Sequence, residues 1–327
     1  MNFHITGMGS ALPVRVVDNV ELSKTLDTTD EWIVSHTGIK SRHIVADNES
    51  SATLAADAAR KALAQAGVKA EDVGTIIVAT STPDYSSFPS TACLVQHAIG
   101  ANRAAAFDIF AACTGFVYAL EVARGMLHSD PRPALVIGVD VMSRVADWTD
   151  RNTCVLFGDG AGAAVVQACD RPGGMRHAIL RADGGGARFL YREGGCRLPP
   201  KNPPEHAWLQ MGGRQVFNFA VKAFADTILE LTSRAGLRVE DVRWIVPHQA
   251  NIRIIEAAAR RLDTGMERFF VNIADLANTS AATIPLAFDQ MLREGRVQAG
   301  DRIVLVGFGG GLTWGGLLLE WNPAPAR

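Results

Sequence analysis

The stretch AGVKAEDVGTIIV, residues 66–78, returns as AGLRVEDVRWIV at residues 235–246. Each copy follows an Ala-rich helical stretch and leads into an apolar strand. Around the first copy, SATLAADAARKALAQAG (51–67) has helical spacing with Gly67 as its stop, and VGTIIVAT (73–80) reads as a buried strand. Downstream, STACLVQHAIG (90–100) predicts helix, AAAFDIF (104–110) strand, TGFVYALEVARGML (114–127) helix and ALVIGVDV (134–141) strand. After the second copy come the helical IRIIEAAARRL (252–262), the short apolar run RFFVNIADL (268–276) and ANTSAATIPLAF (277–288). The last strand, RIVLVGF (302–308), mirrors PALVIGV (133–139). Alternation of this kind implies α/β architecture, with mixed, mainly parallel sheets lying between helices. The echo predicts two similar halves, residues 1–172 and 173–327, dividing near Gly173. The segment Arg171–Pro204, rich in Gly, Pro and Arg, reads as a loop.

Composition narrows the function classes. The 327 residues are 48% hydrophobic and 20% charged with a net charge of −2. That is ordinary globular composition, without the basic footprint of a nucleic-acid binder. No apolar run reaches the ~18–20 residues that span a bilayer, and no signal peptide is evident, so a cytoplasmic protein is expected. The five cysteines, Cys93, Cys113, Cys154, Cys169 and Cys196, are odd in number and form no CxxC pair. That argues against a disulfide framework or a structural zinc site.

FDIFAACTGF (107–116) and NIADLANTSAAT (272–283) fall at corresponding strand-to-helix junctions of the two halves. Cys113 and Asn278 then face each other near a pseudo-twofold axis. A helix N-terminus favours a thiolate, so Cys113 is a candidate nucleophile with a lowered pKa. His248, in WIVPHQANIRII (244–255), follows a strand end, where ligands gather in α/β sheets. GFGGGLTWGG (307–316) lets backbone approach a ligand closely and offers N–H groups for an oxyanion hole. FGDGAGAAVV (157–166) has a similar texture, but its glycines read better as tight strand–helix packing. Neither run carries a dinucleotide or Walker fingerprint. Trp32 reads first as core and Arg151 as a surface charge, although an indole and a guanidinium can also sandwich an adenine.

Together DEWI…TGI…RHI, DIFAACTGF, TDRNTCVLFGDGAGA, HQANIRII, ANTSAAT and GFGGGLTWG, in this order nearly end to end, resemble the β-ketoacyl-acyl carrier protein synthase III family. These are condensing enzymes of the thiolase superfamily. The resemblance implies a five-layer thiolase-like fold and a Cys113–His248–Asn278 triad, with Cys113 and Gly310 N–H groups as the oxyanion hole. It implies coenzyme A contacts at Thr28, Trp32, Arg151, Gly213, Ala250 and Asn251, and acyl carrier protein docking at Arg253. Met142, Phe157 and Leu190 would shape the acyl pocket, with Phe88 reaching into the pocket of a dimer partner. The implied reaction joins a short acyl-CoA to malonyl-acyl carrier protein, initiating fatty-acid synthesis. Coenzyme A enters as the substrate thioester, and no metal or other cofactor is expected. Two departures stand out: His36 where the family commonly has arginine, and Asn218 where lysine is common. They put substrate identity in question more than reaction class. The competing readings are a relative in secondary metabolism with a different acyl acceptor, and a non-catalytic acyl-CoA-binding scaffold.

Overall fold

A computed structural model describes residues 2–194 and 208–323. Both copies of the repeated stretch fold alike. Helix Ser51–Ala66 ends at Gly67 with φ 65°, a 3-10 turn covers Ala70–Asp72, and strand Thr75–Ala79 follows. Helix Gly213–Arg234 is followed by Gly236 with φ 67°, the turn Val239–Asp241 and strand Trp244–Pro247. Both glycines take the left-handed backbone that closes a helix and turns the chain toward its sheet.

The first sheet runs in the order Asn2–Ala11, Asp159–Cys169, Ala134–Val141, Thr75–Ala79, Ala105–Ile109. The second runs Gly174–Ala182, Thr313–Glu320, Arg302–Gly309, Trp244–Pro247, the same topology one strand shorter. A parallel bridge from Ile245 to Phe269, in the short apolar run 268–276, stands where the fifth strand would pair. The sheets are mixed. Parallel pairing covers Thr75–Ala79 with its two neighbours, and Trp244–Pro247 with Arg302–Gly309; the other named pairings of the two sheets are antiparallel. Those parallel strands are the ones whose carboxyl ends carry the site.

Helices Gly115–Met126 and Thr283–Arg293 lie between the sheets and touch both. Phe116, Val117, Leu120, Ala287 and Phe288 are wholly excluded from solvent, as are Ile77, Val136, Val246 and Leu305 of the sheets around them. Each large apolar side chain so buried is worth about 1.5–3 kcal/mol. Helices Ser51–Ala66 and Thr91–Ile99 cover the outer face of the first sheet, and Gly213–Arg234 and Ile252–Arg261 that of the second. The result is five layers. Packing of strand on helix is tight: a Cβ on Gly162 would lie 2.7 Å from Pro285 Cβ and 2.9 Å from Leu286 N. This is the packing expected of FGDGAGAAVV.

The loop expected over Arg171–Pro204 is corrected in its first part. Gly174–Ala182 is the edge strand of the second sheet, paired antiparallel with Thr313–Glu320. Ile179 packs on the outer core of this half and Met175, Ala178 and Leu180 on the central core, while Arg176 and Arg181 are exposed. A 3-10 stretch, Gly184–Phe189, follows, while Cys196 and the last part of the segment lie outside the described residues. Among the described residues no helix is long and apolar enough to cross a membrane.

Candidate active site

Each candidate residue stands just past the carboxyl end of a strand or at the head of a buried helix. Strand Ala105–Ile109 leads through Ala112 into the 3-10 turn Ala112–Thr114, which places Cys113 ahead of helix Gly115–Met126. His248 follows strand Trp244–Pro247, its amide N–H donating to Val306 O at 2.7 Å. Asn278 precedes the turn Ser280–Ala282 and helix Thr283–Arg293; its N–H donates to Leu156 O at 2.9 Å and its carbonyl accepts from Gly158 at 3.1 Å. The turns carrying Cys113 and Ser280 touch, as the repeat requires of equivalent junctions.

Cys113, His248 and Asn278 line one cavity of about 330 Å³, together with Gly310, Phe308 and Ala250. Met142, Phe157 and Leu190 supply part of its apolar wall. The backbone around it is strained. Ala112, Ala277 and Ser280 hold φ of 46°, 57° and 52°, a region costly for side-chain-bearing residues and typical of functional sites.

Electrostatics depart from the sequence expectation. Burial pushes the Cys113 thiol up to about 12; the Asp140 charge adds to this, while the Ser280 hydroxyl and the cysteine's own amide oppose it. The helix N-terminus was expected to lower this pKa. Desolvation outweighs it, because Cys113 is only 9% exposed. Burial likewise lowers His248 to about 3; the Ser280 backbone pulls the other way, although neither ring nitrogen completes a hydrogen bond. The resting pair is therefore a neutral thiol and a neutral imidazole. Asn278 Oδ1 accepts the Ser280 N–H at 2.9 Å, which leaves the amide NH2 as the free end. Buried polar atoms normally have partners, so two imidazole nitrogens without one, in the same cavity as the Asn278 amide, mark the site as unusual.

The coenzyme A candidates divide. Ala250 lines the Cys113 cavity. Gly213 does not: it is exposed at the start of its helix. The Arg151 guanidinium sits 5.4 Å from the Trp32 ring centroid and is held by Asp27. His36 stacks on Trp32 at 4.4 Å, with Nδ1 2.7 Å from the Trp32 carbonyl, so this departure is engaged with the indole. The Asn251 amide donates to His36 O at 3.0 Å, and its Oδ1 caps the helix that begins at Ile252. The Thr28 hydroxyl is buried without a partner. Arg253 and Asn218 are exposed. Phe88 is 83% exposed and lies outside the cavity of its own chain.

Sequence reasoning missed three residues. Ser280 Oγ lies 3.3 Å from Cys113 Sγ. Gln249 braces the His248 loop, accepting from Asn272 and Ile273 N–H at 2.9 Å and donating to Phe270 O at 3.1 Å. Asp140, wholly buried, lies behind the cavity. Its signal was legible as an acid inside the apolar run ALVIGVDV.

Two sheets of one strand order, clasping a pair of buried helices, make the thiolase arrangement, and a cysteine at the head of one of those helices makes a condensing acyltransferase of that class. Comparison with known proteins carries this further. The description "3-Oxoacyl-[acyl-carrier-protein (ACP)] synthase III" matches residues 107–184 and its C-terminal counterpart residues 232–321. The β-ketoacyl-[acyl-carrier-protein] synthase III of Clostridium acetobutylicum is 47% identical over 97% of this chain and 98% of its own length; that of Rhodobacter capsulatus is 48% identical over 97% and 98%. The crystal structure of the Aquifex aeolicus enzyme of that name superposes with a TM-score of 0.92 at 42% identity, covering 98% of this chain and all of the other (100%). A priming β-ketosynthase from the R1128 polyketide pathway has the same TM-score, 0.92, at 35% identity. The chain belongs to the β-ketoacyl-[acyl-carrier-protein] synthase III family.

Proposed function

We propose that this enzyme performs the condensation that initiates fatty-acid synthesis, joining a short acyl-CoA primer to malonyl-acyl carrier protein. The observation that carries the chemistry is the single cavity in which a buried cysteine, an unpaired neutral imidazole and a free amide NH2 meet. Cys113 sulfur attacks the acyl-CoA thioester carbonyl, with N–H groups of Cys113 and Gly310 receiving the oxyanion. The bond to the coenzyme A sulfur breaks, and the proton leaving Cys113 ends on that sulfur. The acyl group now rests on Cys113.

Malonyl-acyl carrier protein then loses CO2, leaving an enolate whose thioester oxygen needs donors. His248 stays neutral across the physiological range, so it supplies an N–H, and the Asn278 amide supplies the second. Donors preorganised in a dry site are worth several kcal/mol of barrier. The carbanion attacks the acyl carbonyl, the bond to Cys113 sulfur breaks, β-ketoacyl-acyl carrier protein leaves, and the released Cys113 thiolate takes up a proton from solvent.

Several assignments belong to the same proposal. Trp32 and Arg151 hold the adenine, and Thr28, Gly213, Ala250 and Asn251 contact the rest of coenzyme A. Arg253 docks acyl carrier protein, the enzyme works in the cytoplasm without a metal, and two copies pair so that each Phe88 enters the other's acyl pocket. The halves divide as 1–172 and 173–327.

Intact-mass measurement after mixing with acetyl-CoA tests the reading: one acetyl adduct is expected, absent in Cys113→Ala. No adduct, or an adduct that survives Cys113→Ala, overturns it. His248→Ala and Asn278→Ala are expected to keep acylation and lose decarboxylation; equal loss of both steps contradicts their roles.

A further inference from the structure

A carboxylate sits where none is needed for the chemistry above. Asp140 closes strand Ala134–Val141 and has no exposed surface. Its Oδ1 accepts from the Ser81 N–H at 2.7 Å, the Thr82 hydroxyl at 2.9 Å and the Thr80 hydroxyl at 3.2 Å. Its Oδ2 accepts the Ala281 N–H at 3.1 Å. The first three donors follow strand Thr75–Ala79 in the N-terminal half. The fourth belongs to the turn of the C-terminal half that carries Ser280. One carboxylate therefore ties two loops, one from each half, beneath the cavity. Ser81, Thr82 and Ser280 line that cavity.

The tie matters because of what Ser280 does. Its backbone is held at φ 52°, which an unrestrained serine would leave. Its N–H fixes the Asn278 amide, and its hydroxyl meets the Cys113 sulfur at 3.3 Å. The bond from Ala281 N–H to Asp140 lies one residue beyond that strained position and restrains it. A buried acid is costly, and a hydrophobic side chain of similar size would be the cheaper core residue. Here its four donors are spent on the loops that present the nucleophile and the amide.

We propose that Asp140 is a positioning residue: through the Ser280–Ala281 turn it sets the placement of the Cys113 thiol and the Asn278 amide for condensation. This rests on the reaction proposed above. Asp140→Asn preserves size, yet its single oxygen cannot accept on both sides. Whichever way the amide turns, an NH2 faces another donor, and Ser280 is released or the Thr80–Thr82 loop is.

The test measures the rate of Cys113 acylation by acetyl-CoA, and kcat and KM for condensation, in Asp140→Asn, Ser280→Ala and the double variant, with melting curves for folding. Asp140→Asn is expected to lose about 100-fold in kcat with KM for acetyl-CoA within about twofold, because misplacement of a reacting group by about 1 Å costs on that order. Ser280→Ala is expected to lose about tenfold, and the double variant no more than Asp140→Asn alone, because Asp140 reaches Cys113 through the turn that places the Ser280 hydroxyl. A folded Asp140→Asn enzyme with kcat within about threefold of wild type overturns the proposal. So does a loss carried by KM, or single losses that multiply in the double variant. If Asp140→Asn does not fold, Ser280→Ala decides: wild-type kcat there overturns the proposal. Failure to acylate the wild-type protein overturns the reaction itself, whereas wild type and Asp140→Asn that acylate and condense equally fast overturn only the role of Asp140.

Discussion

Adding one methyl group at Gly309 should disable the nucleophile without touching it. A Cβ built there lies 2.7 Å from Cys113 N, 3.1 Å from Ala112 Cβ and 3.3 Å from Cys113 Cβ. Ordinary contact begins at 3.4 Å, so the Cys113 backbone must retreat by 3.4 − 2.7, about 0.7 Å. That backbone N–H is one of the two proposed oxyanion donors, and Ala112 beside it is already in a strained conformation. If about 1 Å of misplacement costs about 100-fold, 0.7 Å costs a few tens of fold, and complete loss of the donor about 100- to 1,000-fold. Overpacking lowers stability by about 1–3 kcal/mol, too little to unfold a domain of this size. The assay is rapid-quench mixing of Gly309→Ala with acetyl-CoA, read by intact mass, with Gly125→Ala as control. A Cβ at Gly125, in helix Gly115–Met126, meets nothing within 4 Å, so that variant should acylate at the wild-type rate. Gly309→Ala acylated as fast as the control would refute the placement of Cys113 against the glycine run.

With the Cys113 thiol held up near 12, its alkylation by iodoacetamide should rise about tenfold per pH unit from 7 to 9; a plateau below pH 8 would show a preformed thiolate. His248 titrates near 3 when folded and near 6.5 when unfolded, so the unfolded chain binds the extra proton between those values and stability falls as pH drops through them. At pH 5 this amounts to about 2 kcal/mol relative to pH 7, and urea titrations of His248→Asn should lack that part of the acid loss; parallel curves would refute it. Gly162→Ala must drive strand Asp159–Cys169 from helix Thr283–Arg293 and should cost about 1–3 kcal/mol, so a variant of unchanged stability would contradict that packing.

Much of the architecture was legible because the chain states it twice. The helix–glycine–turn–strand unit around Gly67 recurs around Gly236 with nearly the same glycine φ, 65° and 67°, and local signals in each copy agree with the other. What escaped was non-local. Strand Gly174–Ala182 is made by pairing with Thr313–Glu320, and its own residues, interrupted by Arg176, His177 and Arg181, carry no buried-strand signal. The antiparallel strands of each sheet likewise depend on partners far along the chain. At the site, Cys113, His248 and Asn278 could be placed at junctions from sequence, but their ionisation could not. A helix N-terminus is visible in a sequence; the degree of burial that overrides it is a property of the whole fold. Ser280 was hidden for the same reason, since its contact with Cys113 lies across the two halves; Asp140 showed as an acid in an apolar run, but its partner at Ala281 did not.

That burial, unfavourable to the first half of the reaction, is what the second half requires. A thiolate–imidazolium pair would favour attack on acyl-CoA, yet it would draw water into the cavity where the enolate must survive. A neutral imidazole whose pKa is near 3 does not titrate as that charge develops, so it remains a hydrogen-bond donor throughout. In the proposed reaction its N–H and the Asn278 NH2 would interact weakly with a neutral thioester and strongly with the enolate oxygen, so their stabilisation would fall mainly in the transition state for loss of CO2. The cost falls on acylation, where Cys113 must lose its proton during attack. In the proposed reaction the Cys113 and Gly310 amides supply the charge stabilisation that a preformed thiolate would otherwise have provided, which is why the fit of Gly309 against Cys113 matters there as much as the cysteine itself.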